Sequence, residues 1–391
     1  MTLSRWTAGE VEAGGWVRRG FDTAQRLRAE HGDDAVADLS LGQPLEATAA
    51  VRQAFADAAA DRRPRRHGYM PNLGYPEVRD RVAEDVAVEG MTASGIAMTG
   101  GAAGAISLAL RTFLDAGDEV VASAPYFSEF RLYAAAAGLA LRVVPSAEKG
   151  GLDLMAIGAA LSPRTGALIV NSPCNPSGHV VRDVELAELV IVLEEHRRAH
   201  GRSVLLIVDE VYRNLVYPPH RRAEPFQHWE NSVLARSFSK DLGIAGERIG
   251  YLAVHPSLVS AETERGLELC QRALGYVNAP ATAQLALLNL RDWSIDRAPY
   301  QARRDAMTAA VTAAGLQATD CMGGLYLWVR SPWPDTMAFC NALSAARTVV
   351  VPGIAFGVGD HFRICFSVAR SALPVAAEAM RSVSAQTRAP N

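Results

Sequence analysis

The sequence predicts an α/β protein: a large domain with a mostly parallel sheet covered by helices, joined to a smaller α+β domain. Three observations carry that prediction. Between Thr99 and Val208, short apolar runs alternate with segments of helical periodicity, the pattern of strands buried on both faces of a parallel sheet. Past Asp292 the texture changes to an Arg- and Ala-rich helix followed by shorter β-like pieces, which marks an α+β lobe. At 391 residues the chain also exceeds the size at which one apolar core stops growing. The expected division puts residues 46–290 in the large domain and residues 1–45 with 291–391 in the small one.

Taken in order, the chain opens with a helix around Gly20 to Glu30, and Asp38 to Pro44 reads as a short strand running into a Gly/Pro turn. A helix follows with Ala50, Val51, Ala54, Phe55 and Ala58 on one face. Arg62 to His67 is a proline-broken basic loop, read as solvated surface. Gly100 to Gly104 opens a helix that carries Ile106, Leu108, Leu110 and Phe113. Strands are expected at 119–123, 141–144, 167–170, 204–208 and 232–235, with helices at 127–137 and 184–200. The small lobe is expected to hold a helix at 294–314, β pieces at 324–329, 348–351 and 362–368, and a closing helix at 373–385.

Composition removes several classes. Apolar residues make up 49% and charged residues 21%, ordinary for a soluble enzyme. A net charge of −3 gives no reason to expect nucleic acid or an acidic membrane as partner. Cys174, Cys270, Cys321, Cys340 and Cys365 are scattered without a C-x-x-C pair. That argues for reduced thiols in a cytoplasmic protein and against a structural zinc site, so no metal is expected. Arg5, Glu10, Glu12, Arg18 and Arg19 interrupt any apolar leader. No stretch approaches the roughly eighteen apolar residues of a membrane span.

The chemistry concentrates at strand ends. The run 232–235 leads into Ser237-Phe238-Ser239-Lys240, and Arg248 follows past Gly243 and Gly246. A lysine just beyond a buried strand stands at the mouth of an α/β sheet, where such enzymes place ligands. Its amine suits an imine with an aldehyde cofactor, and the hydroxyls and arginine suit a phosphate. An exposed lysine in a polar loop is the plain alternative. Strand 204–208 ends in Asp209 and, three residues on, Tyr212. A carboxylate there must be paired, either with a protonated ring nitrogen or as a cap on the next helix. Strand 167–170 ends in a turn with two prolines and a glycine, through Asn175-Pro176-Ser177-Gly178. The N-terminus of the helix opened by Gly100 to Gly104 can donate backbone N–H groups to a phosphate, yet it matches neither a P-loop nor a dinucleotide fingerprint. Tyr126, in Ala124-Pro125-Tyr126, suits a stack on a planar cofactor or an ordinary place in the core. Arg363, in an otherwise apolar strand, requires an anion, either a protein carboxylate or a substrate.

In this order these residues resemble the class I/II aminotransferases among the fold-type-I pyridoxal-phosphate enzymes, from about Leu39 to the closing helix. The matching motifs are Tyr69 to Gly74, Pro125-Tyr126, Asn175-Pro176-Ser177-Gly178, Asp209-x-x-Tyr212, Ser237-x-x-Lys240 with Arg248, and Arg363. The resemblance implies that Lys240 holds pyridoxal 5'-phosphate as an imine and, once freed by substrate, moves the substrate proton. It implies that Asp209 pairs with the ring nitrogen, that Asn175 and Tyr212 contact the ring oxygen, and that Tyr126 stacks on the ring. Ser237, Arg248 and the N–H groups of Ala102 and Ala103 are to hold the phosphate, with Tyr69 reaching in from a second subunit. Arg363 is to clamp the substrate α-carboxylate, assisted by Asn175 and the backbone at Gly42. Composite sites of this kind imply a homodimer. Two departures stand out: Ala103 lacks the hydroxyl or amide many relatives aim at the phosphate, and Ser177 replaces the commoner threonine.

The expected reaction is transfer of an amino group between an amino acid and a 2-oxo acid. Elimination, replacement, cyclisation or carbon–carbon bond formation on the same scaffold is the alternative, since fold does not fix reaction. A catalytically silent DNA-binding regulator is disfavoured by the short, weakly charged N-terminal segment and the absence of a basic patch.

Overall fold

The structure, a computed structural model, describes residues 3–13, 15–147 and 150–386. Its strands, in chain order, are β1 (Ala37–Asp38), β2 (Ile96–Thr99), β3 (Glu119–Ala124), β4 (Ala140–Pro145), β5 (Thr165–Asn171), β6 (Leu205–Asp209) and β7 (Ser232–Ser237). They continue as β8 (Gly250–Val254), β9 (Gln317–Ala318), β10 (Tyr326–Arg330), β11 (Thr348–Val349), β12 (Val351–Pro352) and β13 (His361–Cys365). Seven of them form one sheet in the order β2-β8-β7-β6-β5-β3-β4. All its neighbours run parallel except β8, which is antiparallel to both β2 and β7.

Successive side chains of a strand point to opposite faces, and here both faces are apolar. Leu168, Val170, Leu206, Val208 and Leu234 enter one core, while Ala167, Ile169, Leu205, Ile207 and Val233 enter the other. The continuous apolar runs in the sequence have this origin, since each core needs every second residue. Helices such as Gly101–Phe113 and Asp183–His200 cover the two faces. The first of these is a sound helix by composition, rich in Ala and Leu.

In the large sheet two strands were not anticipated, β2 and β8. Each is a four- or five-residue apolar run beside glycine, and such runs carry no period that separates strand from buried helix. Edge strand β2 is closed by side chains. Arg79 Nε donates to the Ile96 carbonyl at 2.8 Å, Gln271 Nε2 donates to the Met98 carbonyl at 3.0 Å, and the Met98 N–H donates to the Leu73 carbonyl at 2.8 Å.

A third core surrounds the four-stranded sheet β12-β13-β10-β9 and the β1-β11 pair. The N-terminal segment joins it through β1, which pairs parallel with β11. Tyr212, Leu215 and Tyr217, which follow β6, are buried in that same core. The loop leaving the large sheet is thereby packed into the small ones. The helix expected at 294–314 runs from Ala298 to Ala313, and the closing helix from Ala372 to Ser384. The basic loop near residue 65 is part of a surface network, with Arg63 paired to Asp61 and Arg66 to Glu77.

Behind the sheet's carboxyl end, Glu210 and Arg236 form a fully buried ion pair at 2.5 Å. Arg236 also donates to the Tyr251 hydroxyl at 3.0 Å, joining β6, β7 and β8. Removing one partner of such a pair strands the other charge in a low dielectric. Glu210→Gln is expected to cost about 3–5 kcal/mol, read as a lowered denaturant midpoint, and an unchanged midpoint would contradict the pairing.

Candidate active site

Strands β5, β6 and β7 run parallel and end level with one another, Asn171 opposite Asp209 and Asp209 opposite Ala235. Their carboxyl ends open onto a cavity of about 320 Å³. Its lining includes every residue the sequence nominated except Tyr126 and Tyr69: Gly42, Ala102, Ala103, Asn175, Asp209, Tyr212, Ser237, Lys240, Arg248 and Arg363.

Asp209 is 4% exposed, and among the described residues no salt bridge reaches it. Its hydrogen-bond partner is the Val211 N–H at 3.4 Å. Burial with so little compensation pushes its carboxyl up to about 7. Lys240 shows the converse effect. Burial holds its amine down to about 8, and the nearby Arg363 and Arg248 charges push the same way. The amine donates to the Gly42 carbonyl. Gly42 cannot carry a side chain, because an added Cβ would fall 1.8 Å from the Tyr326 hydroxyl. That hydroxyl in turn lies 3.1 Å from the hydroxyl of Tyr212.

Arg363 is 2% exposed and, among the described residues, has no carboxylate partner. Its guanidinium donates to Asn175 Oδ1 at 2.9 Å and to the Ser40 carbonyl, and it lies between the Tyr326 and Phe356 rings. Its Nε has no partner. A planar cation fixed on both faces, with donor capacity in reserve, is built to take a carboxylate.

At the other side of the cavity, helix Gly101–Phe113 begins with Ala102 and Ala103, whose small side chains leave its first N–H groups approachable. Gly101 has φ +80°, and a Cβ there would lie 2.9 Å from Arg248 Nη2. Arg248 itself adopts φ +53°, uncommon for a non-glycine residue. From there it donates to the carbonyls of Ala245 and Gly100. Ser237 and Ser239 hydroxyls, 2.8 Å apart, complete a cradle of donors suited to an anion.

Tyr126 lies outside this cavity. Its N–H donates to the Phe356 carbonyl and its ring packs against Gly357. The adjacent ring, Phe127, lines the cavity instead; the helix expected from residue 127 starts at Glu129, and Phe127 opens the turn that precedes it, its carbonyl accepting from the Phe130 N–H at 3.0 Å. Tyr69 is 96% exposed, away from its own chain's cavity. Tyr326, Tyr133 and Glu129 line the cavity without having been anticipated. Two adjacent aromatics after Pro125 left the choice of ring open to sequence, and nothing local marks Tyr326.

Residues 34–380 match the family described as aminotransferase class I and II, and the chain belongs to that family. It is a pyridoxal-phosphate-dependent aminotransferase, which moves an amino group between an amino acid and a 2-oxo acid. It is 29% identical to an aspartate/prephenate aminotransferase of Thermus thermophilus over 91% of this chain and 92% of that one. It is 30% identical to a valine–pyruvate aminotransferase of Mycobacterium tuberculosis over 88% and 89% respectively. A crystal structure of an amino transferase from Eubacterium rectale superposes with a TM-score of 0.91 at 29% identity, covering 98% of both chains.

Asp241, next to Lys240, offers a test of these electrostatics. Its Oδ2 accepts from Asn214 Nδ2, its Oδ1 is buried without a partner, and burial raises its carboxyl to about 7. A carboxyl raised from 3.8 in this way stabilises the fold while protonated, and that contribution is lost as pH rises through 7. Asp241→Asn should match the parent near pH 4 and gain on it by on the order of a few kcal/mol by pH 8. Thermal melts across that range check it, and a pH-independent difference would contradict the assignment.

Proposed function

We propose that the cavity holds pyridoxal phosphate with Lys240 as its covalent anchor and as the base of amino transfer. The carrying observation is that one cavity at the sheet's carboxyl end is lined by both a buried carboxyl without a salt bridge among the described residues and a lysine with a lowered pKa. The donor set fits the cofactor. Asp209 would meet a protonated ring nitrogen, and Tyr212 with Asn175 would meet the ring oxygen. The Ala102 and Ala103 N–H groups, Ser237 and Arg248 would take the phosphate. Phe127, rather than Tyr126, would cover the ring. When bound, the cofactor supplies an aldehyde for amines and an electron-withdrawing cationic ring.

The chain's own residues do the rest. Arg363 fixes the substrate α-carboxylate bidentately, with Asn175 and the Gly42 backbone defining its plane. That orientation presents the substrate Cα to Lys240 Nζ. An amine at its usual pKa of about 10.4 is protonated at neutral pH. Lowered to about 8, Lys240 can take the Cα proton of the donor in one half-reaction and, as its conjugate acid, deliver a proton to the Cα of the acceptor in the other. Asp209, raised to about 7 by burial, would be favoured as a carboxylate once a protonated ring nitrogen faced it.

The same reading makes the enzyme a cytoplasmic homodimer with sites shared between subunits. Tyr69 supports it, an aromatic side chain held out at 96% exposure by a stiff frame. Asn278 Nδ2 donates to the carbonyls of Met70, Pro71 and Asn72, and Asn72 Nδ2 to that of Val277. Val277 adopts φ +59°, strained for a β-branched residue. All five cysteines are free thiols, which supports a reducing compartment. Among the described residues no helix is long and apolar enough to cross a membrane. In this reading residues 46–290 form the large lobe, and residues 1–45 with 291–391 the small one.

Lys240→Ala is expected to lower the half-reaction at least about 10³-fold and to abolish borohydride-fixed cofactor at residue 240, checked by absorbance and peptide mapping. Retained turnover would end the proposal. Tyr69→Ala should weaken cofactor binding about tenfold while sedimentation still shows a dimer. Unchanged affinity would remove Tyr69 from the site.

A further inference from the structure

With Asp209, Lys240, Arg248 and Arg363 assigned to cofactor and α-carboxylate, one charged side chain among the described residues lining the cavity, Glu129, takes part in no salt bridge. Glu129 lines the cavity from the first turn of helix Glu129–Ala136 and is half-buried. Arg131, two residues on, is the cation nearest in sequence, but its guanidinium is paired with Glu10 of the N-terminal helix. Burial raises the Glu129 pKa, outweighing the pull of the Arg131 charge and the hydrogen bond from the Ser128 hydroxyl, as for a carboxylate short of close partners.

The surroundings restrict what can answer it. Val17, Leu41 and Phe127 line the same cavity and offer apolar surface to an aliphatic stem. Among the described residues, the lining includes no lysine, arginine or histidine beyond the three already assigned. A second substrate carboxylate therefore finds no cation from this chain and meets Glu129 instead. A donor with an apolar side chain would leave Glu129 desolvated and unpaired, which is costly.

We propose that Glu129 determines specificity, and that the amino donor carries an ammonium or guanidinium group at the end of an aliphatic stem. This rests on the reading of the cavity given above. The reaction is unchanged: the donor's α-amino group leaves for the 2-oxo acceptor and its distal cation stays intact on the 2-oxo product. A site that hydrogen-bonds a charged group discriminates strongly against analogues lacking it.

The test uses holoenzyme and single half-reactions without oxo acid, following loss of the cofactor's visible band. L-Arginine is compared with L-citrulline, whose ureido group is neutral and similar in shape, and L-lysine with L-norleucine. The cationic member of each pair is expected to react at least about tenfold more efficiently, the worth of one charge-assisted hydrogen bond. Glu129→Gln should erase most of that preference and Glu129→Asp should restore part of it, with thermal melts confirming that both variants fold. Equal efficiencies within each pair, a full preference in the Gln variant, or L-aspartate outrunning all four would overturn the inference while leaving the aminotransferase reading in place. No spectral response to any amino acid would instead strike at the reading of the cavity, and the inference would fall with it.

Discussion

Three distant parts of the chain meet on one guanidinium. Arg363 comes from β13 in the small sheets, Ser40 from the N-terminal segment, and Asn175 from the turn after β5 in the large sheet. The Tyr326 and Phe356 rings hold its two faces. Burying a cation so completely is costly unless its donors are answered. The cost is met by bringing these segments together in a single arrangement, which also sets the position of Gly42, two residues past Ser40, against Lys240. The geometry around the lysine is thus a consequence of how the arginine is housed.

Around that fixed point, charge is managed by withholding partners as much as by supplying them. Glu210 and Arg236 are matched at 2.5 Å and serve the framework. Asp209, the next residue along the chain from Glu210, faces the cavity with a single weak donor and is held largely protonated up to about 7. One neighbour is satisfied and the other is left wanting. A period-two strand makes this division possible, since consecutive residues leave on opposite faces.

How much of this was legible in the sequence follows from how local each feature is. Ser237, Lys240 and Arg248 lie within twelve residues of one another, at the end of an apolar run, and their meeting could be read directly. The parallel strands were legible because burial on both faces writes itself as uninterrupted apolar runs. What escaped depended on contacts between segments or on a shift of a residue or two. The helix begins at Glu129 instead of Phe127, and the lining ring is Phe127 instead of Tyr126. Tyr326 reaches the site only because β10 pairs with β13 beside Arg363. The antiparallel direction of β8 is decided by its loop and its two neighbours, and no pattern within its five residues records it.

The closed margin of the large sheet bears on how this protein meets others. At β2 the outward carbonyls are already spoken for by Arg79 and Gln271, and an outward N–H by Leu73. At the opposite margin β4 presents Arg142, tied to Glu119, and ends in Pro145. The β2 rim offers no run of free backbone onto which a foreign strand could zip. Growth into an open-ended ribbon is denied by the same few hydrogen bonds that hold β2 in place.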